Sequence, residues 1–319
     1  VNKAIALFLS LTLLAVAVTA CICPMPTEEP TPEGPSLGDT RTRPIDGMVM
    51  VYVPAGEFTM GSTDEEVDNA LALCNEYRGD CERDQFEDEQ PAHAVALDGF
   101  WIDRTEVTNA QFAAFLNEEG NQEEGGVTWL ELEGETCLIE HVGSEFRPKS
   151  GYGDHPVIEV SWYGAAAYCE WAGGRLPTEA QWEYAARGPE GCTFPWGDEV
   201  DGTRLNYCDA NCDSDLADEA FDDGYAYIAP VGSYPDGASW VGALDLAGNV
   251  WEWGADWYGD YPSERQENPS GPSVGDWRVV RGGSWSTLWI YVRAVYRNYV
   301  RPVGRYGGFG FRCVGSPGE

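Results

Sequence analysis

The sequence predicts a loop-rich fold that mixes short strands with a few short helices, and three observations carry that prediction. The 319 residues include 38 glycines and 20 prolines, which punctuate regular structure rather than extend it. Helical periodicity is confined to a few short windows. Alternation of β-favouring residues is equally brief. Apolar residues make up 43% of the chain, with 13 Trp, 16 Tyr and 11 Phe, ample material for a core.

Taken in order, residues 1–20 read as a secretion signal. Lys3 supplies the positive start, AIALFLSLTLLAVAVTA the apolar run, and small residues precede Cys21. The ending Val18-Thr19-Ala20-Cys21 resembles the bacterial lipoprotein cleavage motif, in which the cysteine takes lipid. An exported protein, lipid-anchored to the bacterial cell envelope, is the expectation, with the membrane met only through the anchor. Residues 21–46 are rich in Pro, Thr and Glu and read as an extended tether.

The stretch MVMVYVPAGEFTMGS, 48–62, alternates around Pro54-Ala55-Gly56 and predicts a hairpin. An acidic loop with Cys74 and Cys81 follows. Strands in HAVALDGFWID then run into a helix capped by Thr108 and Gln111, with Phe112, Phe115 and Leu116 on one face and Gly120 as its stop. Ser161 caps a second helix that ends at Gly173-Gly174. Pro177 and Thr178 open a third, with Gln181 completing a capping box and Gly188 ending it. From 189 onward periodicity is weak, through the acidic CDANCDSDLADEAFDDGY and the tryptophan-rich DLAGNVWEWGADWY.

The C-terminal stretch 281–313 inverts the chain's charge. The whole sequence has a formal net charge of -35, yet this segment has no Asp, Glu or Lys and carries Arg281, Arg293, Arg297, Arg301, Arg305 and Arg312. Bidentate pairing with carboxylates from the rest of the domain is the structural expectation for these arginines. The acidic balance excludes nucleic acid as a partner, because phosphate repulsion opposes binding. No P-loop, GxGxxG or Ser-His-Asp order stands out. Ten cysteines accompany only His93, His141 and His155, so disulfides are expected rather than a His-rich metal centre.

Nine segments resemble, in order, the formylglycine-generating enzyme (sulfatase-modifying factor) family. They are VPAGEFTMGS, LDGFWIDRTEVTNAQFAAF, HPVIEVSW, AAAYCEWAGGRLPTEAQWEYAARG, FPWGDE, APVGSYPDGAS, GALDLAGNVWEW, RVVRGGSW and GFGFRC. The resemblance implies a single α+β domain over 47–316, related to C-type lectins, with few short helices and small antiparallel sheets. It also implies a disulfide between Cys169 and Cys313; Cys74–Cys81 and Cys208–Cys212 are expected as short-range pairs. Structural calcium is implied at two sets of oxygens. One comprises Asn206, the Tyr207 carbonyl, Asp223 and the Tyr225 carbonyl. The other comprises Asp245, the carbonyls of Gly248 and Val250, and Glu252.

Catalytic members of the family bind Cu(I) through two cysteines just after the GGS turn. Those positions here are Thr287 and Val292, which offer no soft thiolate, so copper is not expected. A relative with a His-based iron centre is no better matched. The leading expectation is a non-catalytic lipoprotein that binds a protein, peptide or glycan through a face at 284–308. Ser284, Thr287, Trp289, Tyr291, Arg293, Tyr299 and Tyr306 are its candidate residues. The alternatives are a formylglycine-generating oxidase of the sulfatase-maturation type, an envelope scaffold, and a lectin-like receptor diversified by a retroelement.

Overall fold

The alternating stretch at 48–62 forms two strands, Val49–Val53 and Gly56–Met60, but they do not pair with each other. In this computed structural model, which describes residues 34–317, the turn between them passes the chain from one sheet to the next. Val49–Val53 pairs with Thr40–Thr42 on one side and Phe100–Asp103 on the other. Val314–Gly315, near the C-terminus, completes that four-stranded antiparallel sheet. Gly56–Met60 instead pairs with His93–Leu97. Burial explains why alternation is misleading here: Met50 and Tyr52 enter one apolar cluster, while Val51 and Val53 enter another. Both faces of the strand are covered, so the pattern does not identify its partner.

A second four-stranded sheet orders Asn298–Val300, Arg278–Arg281, Trp251–Trp257 and Phe309–Gly310. Two small hairpins lie between residues 123 and 148. From Pro35 onward the described residues form one compact unit. The domain therefore starts before residue 47. Arg43, expected in the tether, is buried and donates to Asp103 at 2.8 Å, and Tyr168 donates to Asp46 at 2.6 Å. The leader 1–20, Cys21 and the first half of the tether, through residue 33, lie outside the described residues. Among the described helices, none is long and apolar enough to cross a membrane.

Four α-helices are present among the described residues: α1 Asp64–Tyr77, α2 Asn109–Glu119, α3 Trp162–Trp171 and α4 Glu179–Arg187. The last three start at the predicted caps Thr108, Ser161 and Thr178. α1 replaces the predicted acidic loop. Only its start carries a local signal, the reciprocal capping box of Thr63 and Glu66. All nine residues of α4 are buried, including Glu179, Glu183 and Arg187. Charged groups in that position demand partners, and the arginine-rich segment supplies them.

The three expected disulfides, Cys74–Cys81, Cys169–Cys313 and Cys208–Cys212, are formed. Cys169 on α3 and Cys313 are 144 residues apart in sequence, so their bond ties the end of the arginine-rich segment to the core. By loop entropy such a closure restricts the unfolded chain by roughly 3–5 kcal/mol.

Candidate functional site

Arg281 anchors the C-terminal segment. It is fully buried and donates to Glu183 at 2.6 Å and Glu179 at 3.2 Å, both on α4, and to the carbonyls of Ala294 and Val295. Arg297 grips Glu179 through Nε at 2.6 Å and Nη2 at 2.9 Å. The two guanidiniums hold the Glu179 carboxyl below its usual range despite burial. Arg293 pairs with buried Glu89. Arg312 clamps Glu252 at 2.6 and 2.7 Å, and Arg305 pairs with Glu131. Arg301 alone among the six has no carboxylate partner among the described residues; it stacks 5.0 Å from the Trp277 ring centre.

These anchors divide the predicted binding face. Ser284 is buried, and its amide and hydroxyl both meet the Thr287 hydroxyl, at 3.0 and 3.1 Å. Val292 is completely buried, so close to Gly283 that a Cβ there would lie 2.4 Å from Val292 Cγ1. α1 packs over the 288–291 turn. Trp289 meets Tyr77 edge-on, Tyr291 stacks near Phe86, and Arg78 donates to the Tyr291 hydroxyl at 3.1 Å. The Cys208 amide donates to the Thr287 carbonyl at 3.0 Å, and the disulfides Cys74–Cys81 and Cys208–Cys212 join the same apolar cluster. The expectation of one exposed face over 284–308 is thus corrected. Ser284 and Arg293 are interior, and Thr287, Trp289 and Tyr291 are at most half-exposed. α1, a helix where the sequence predicts a loop, covers Trp289 and Tyr291, and Arg293 is drawn inside by Glu89.

The remaining part is open. Trp277, Tyr299, Val303 and Tyr306 are 37, 42, 37 and 51% exposed and line one groove of about 650 Å³. Tyr299 packs against Tyr258 at 4.3 Å and meets Trp277 edge-on at 5.4 Å; Tyr306 faces Phe309 at 5.3 Å. Trp277 and Tyr258, outside the segment, were not among the candidates. Only the strand pairing of Asn298–Val300 with Arg278–Arg281 brings Trp277 alongside Tyr299.

The two calcium sets differ in fit. Asn206 is buried, and its Oδ1 has no hydrogen-bond partner, while its Nδ2 donates to Tyr227 and Asn249. Burial, with Asp209 nearby, pushes Asp223 up to about 6. Asp223 is half-buried and accepts the Tyr207 and Tyr225 amides at 3.1 and 2.8 Å; the unpartnered Asn206 oxygen is the donor in this set that suits a hard cation. In the other set, Glu252 is already clamped by Arg312 and accepts from Trp182 at 2.8 Å. Asp245 accepts from the Gly232 amide, with its carboxyl raised by burial beside buried Glu106. Arg312 supplies the counter-charge there, so this set does not fit a cation as the first does. Among the described residues, no three His, Cys, Asp or Glu side chains converge to hold a metal.

Residues 36–317 match the family described as the sulfatase-modifying factor enzyme 1-like domain. The chain is 34% identical over 326 residues to the formylglycine-generating enzyme of Streptomyces coelicolor, covering 91% of this chain and 96% of that one. It is 33% identical over 302 residues to the mouse formylglycine-generating enzyme, covering 85% and 76%. It is 35% identical over 270 residues to the serine/threonine-protein kinase Pkn1 of Chlamydia trachomatis, covering 83% of this chain but spanning only 38% of the kinase. Among solved structures, PvdO from Pseudomonas aeruginosa superposes with a TM-score of 0.64 at 26% identity, covering 88% of this chain and 99% of that one.

Proposed function

Because the chain belongs to the sulfatase-modifying factor enzyme 1-like family, with formylglycine-generating enzymes among its relatives, we propose what this member does with the shared fold. It is a non-catalytic binding module, exported and lipid-anchored through Cys21, that captures its ligand in the groove of Trp277, Tyr299 and Tyr306. One observation carries the reading. The two positions that hold copper thiolates in catalytic relatives are Thr287 and Val292, and both are built into packing. Neither side chain is a ligand for Cu(I); the four cysteines packed in the apolar cluster beside them are spent in disulfides, and Cys192, next to Thr193 whose carbonyl accepts the Ala294 amide, is a single free thiol rather than a pair. The groove supplies aromatic area that costs little side-chain entropy to order.

Structural calcium belongs to the same proposal. It would be held by Asn206 Oδ1, Asp223 and the carbonyls of Tyr207 and Tyr225, and would fix the acidic 206–225 loop beside the 287–291 segment. Calcium should raise the melting temperature of the wild type and leave Asn206→Ala unmoved. An equal shift in both proteins removes this site. Anchoring is tested by Cys21→Ala, which should move the protein from the membrane fraction to the soluble fraction.

The relatives' names favour a second reading, oxidation of a substrate cysteine to formylglycine by a metal arrangement unlike the family's. Mass spectrometry decides between them, on a Cys-x-Pro-x-Arg peptide incubated with the protein, Cu(I) and oxygen. No formylglycine above a copper-only control supports the binding module. Turnover that depends on the protein restores the enzyme.

A further inference from the structure

We propose that the 299–309 groove is a carbohydrate subsite whose ligand is an oligosaccharide carrying a single anionic group, a carboxylate or a sulfate. This rests on the binding reading above and assigns the ligand's class. Exposed aromatic side chains come first. Trp277, Tyr299 and Tyr306 present aromatic surface in one open groove, and the flat C–H face of a pyranose ring packs on such surface while its hydroxyls stay in water.

Arg301 supplies the charge. Its guanidinium lies over the Trp277 ring, 5.0 Å from the centroid, and among the described residues no carboxylate pairs with its N–H donors. Those donors match a carboxylate or sulfate bidentately. Arg305, at the other side, is already held by Glu131 and by Thr128 Oγ1 at 2.7 Å, so it lines the groove rather than reaching for a ligand.

Three features exclude other ligand classes. A cationic ligand would meet Arg301 and Arg305. A peptide adding to the sheet would use the strand Asn298–Val300, which lies at the sheet's edge. That edge is only three residues long, and the Tyr299 amide already donates to the Asn298 side chain at 2.7 Å. Main-chain recognition is therefore blunted where it would be needed. A polyanion would be repelled by a chain of formal net charge -35. One anionic substituent within an otherwise neutral glycan matches one uncommitted arginine.

The test uses the full chain on an array of neutral, singly anionic and multiply anionic oligosaccharides, with acidic peptides printed alongside. The strongest glycan is then titrated calorimetrically into wild type, Arg301→Gln and Tyr299→Ala/Tyr306→Ala, each shown folded by near-UV circular dichroism. Capture should concentrate on singly anionic glycans. Arg301→Gln should weaken that binding about tenfold or more and leave a neutral counterpart unchanged, while the double variant should lose both. Capture of no anionic glycan, or affinity indifferent to Arg301→Gln, overturns the assignment. If acidic peptides are captured instead and the double variant loses them, the glycan class is wrong and the binding module stands. Capture of nothing by the folded protein overturns both.

Discussion

Residues 281–297 and 299–309 have the same vocabulary, arginines set among aromatics and small residues, and opposite fates. In the first stretch Arg281, Arg293 and Arg297 are buried on Glu179, Glu183 and Glu89. The intervening Trp289 and Tyr291 go under α1 with them. In the second, Arg301 finds no carboxylate among the described residues, and Tyr299 and Tyr306 stay in water. The difference lies in the neighbours. α4 and the turn at 87–89 offer carboxylates in the interior, whereas the groove offers only Glu131, which Arg305 takes. Composition alone therefore does not separate scaffold from binding surface; the location of the counter-charges does.

The comparison is broken most forcefully at Arg281. Arg281→Ala would leave buried Glu183 with Arg187 alone and Glu179 with Arg297 alone, so denaturant unfolding should show a loss of about 3 kcal/mol. A loss under about 1 kcal/mol would mean that the 281–297 stretch is not held by these buried pairs.

Asp256, at the N-terminus of α4, comes next. It accepts the Glu179 amide at 3.0 Å, while its other oxygen is buried without a partner. Burial, with Glu179 beside it and Arg175 and Arg278 opposing, pushes it up to about 7. A carboxyl raised in the folded state favours folding while protonated, so its contribution fades as pH rises from about 4 through about 7. Asp256→Asn should keep the helix cap and remove that decline, gaining roughly 4 kcal/mol on the wild type between about pH 4 and pH 8. Parallel stability–pH curves would contradict it.

A smaller effect is expected at Tyr291→Phe, which loses the Arg78 bond in the cluster beneath α1 and should cost about 1 kcal/mol in chemical denaturation. Smallest of all is Arg301→Gln, within about 0.5 kcal/mol of wild type, because an exposed side chain without an ion pair contributes little to folding. A large destabilisation there would move Arg301 from the binding surface to the scaffold.

Much of the fold was legible. The caps Thr108, Ser161 and Thr178 were local signals that tertiary packing left intact, and the family resemblance supplied the long-range pairing of Cys169 with Cys313. The hairpin at 48–62 was not legible, because a strand covered on both faces alternates without declaring its partner. α1 was hidden by its composition: an acidic, weakly apolar run reads as loop, and only the pairing of Thr63 with Glu66 marks its start. That omission caused the misreading of Trp289 and Tyr291 within the binding face, since α1 is what covers them. The arginines could be assigned to ion pairing from charge contrast, but which of them lacked a carboxylate depended on the sheet register that places Arg301 near Trp277.

The division of the C-terminal segment is tested most directly by hydroxyl-radical footprinting of the folded protein, read by mass spectrometry residue by residue. Tyr299, Tyr306 and Trp277 should oxidise several-fold faster than Trp289, Tyr291 and Tyr296. Comparable rates across the two groups would open the 284–293 region to solvent and return the ligand face, and the question of catalysis, to the positions of Thr287 and Val292.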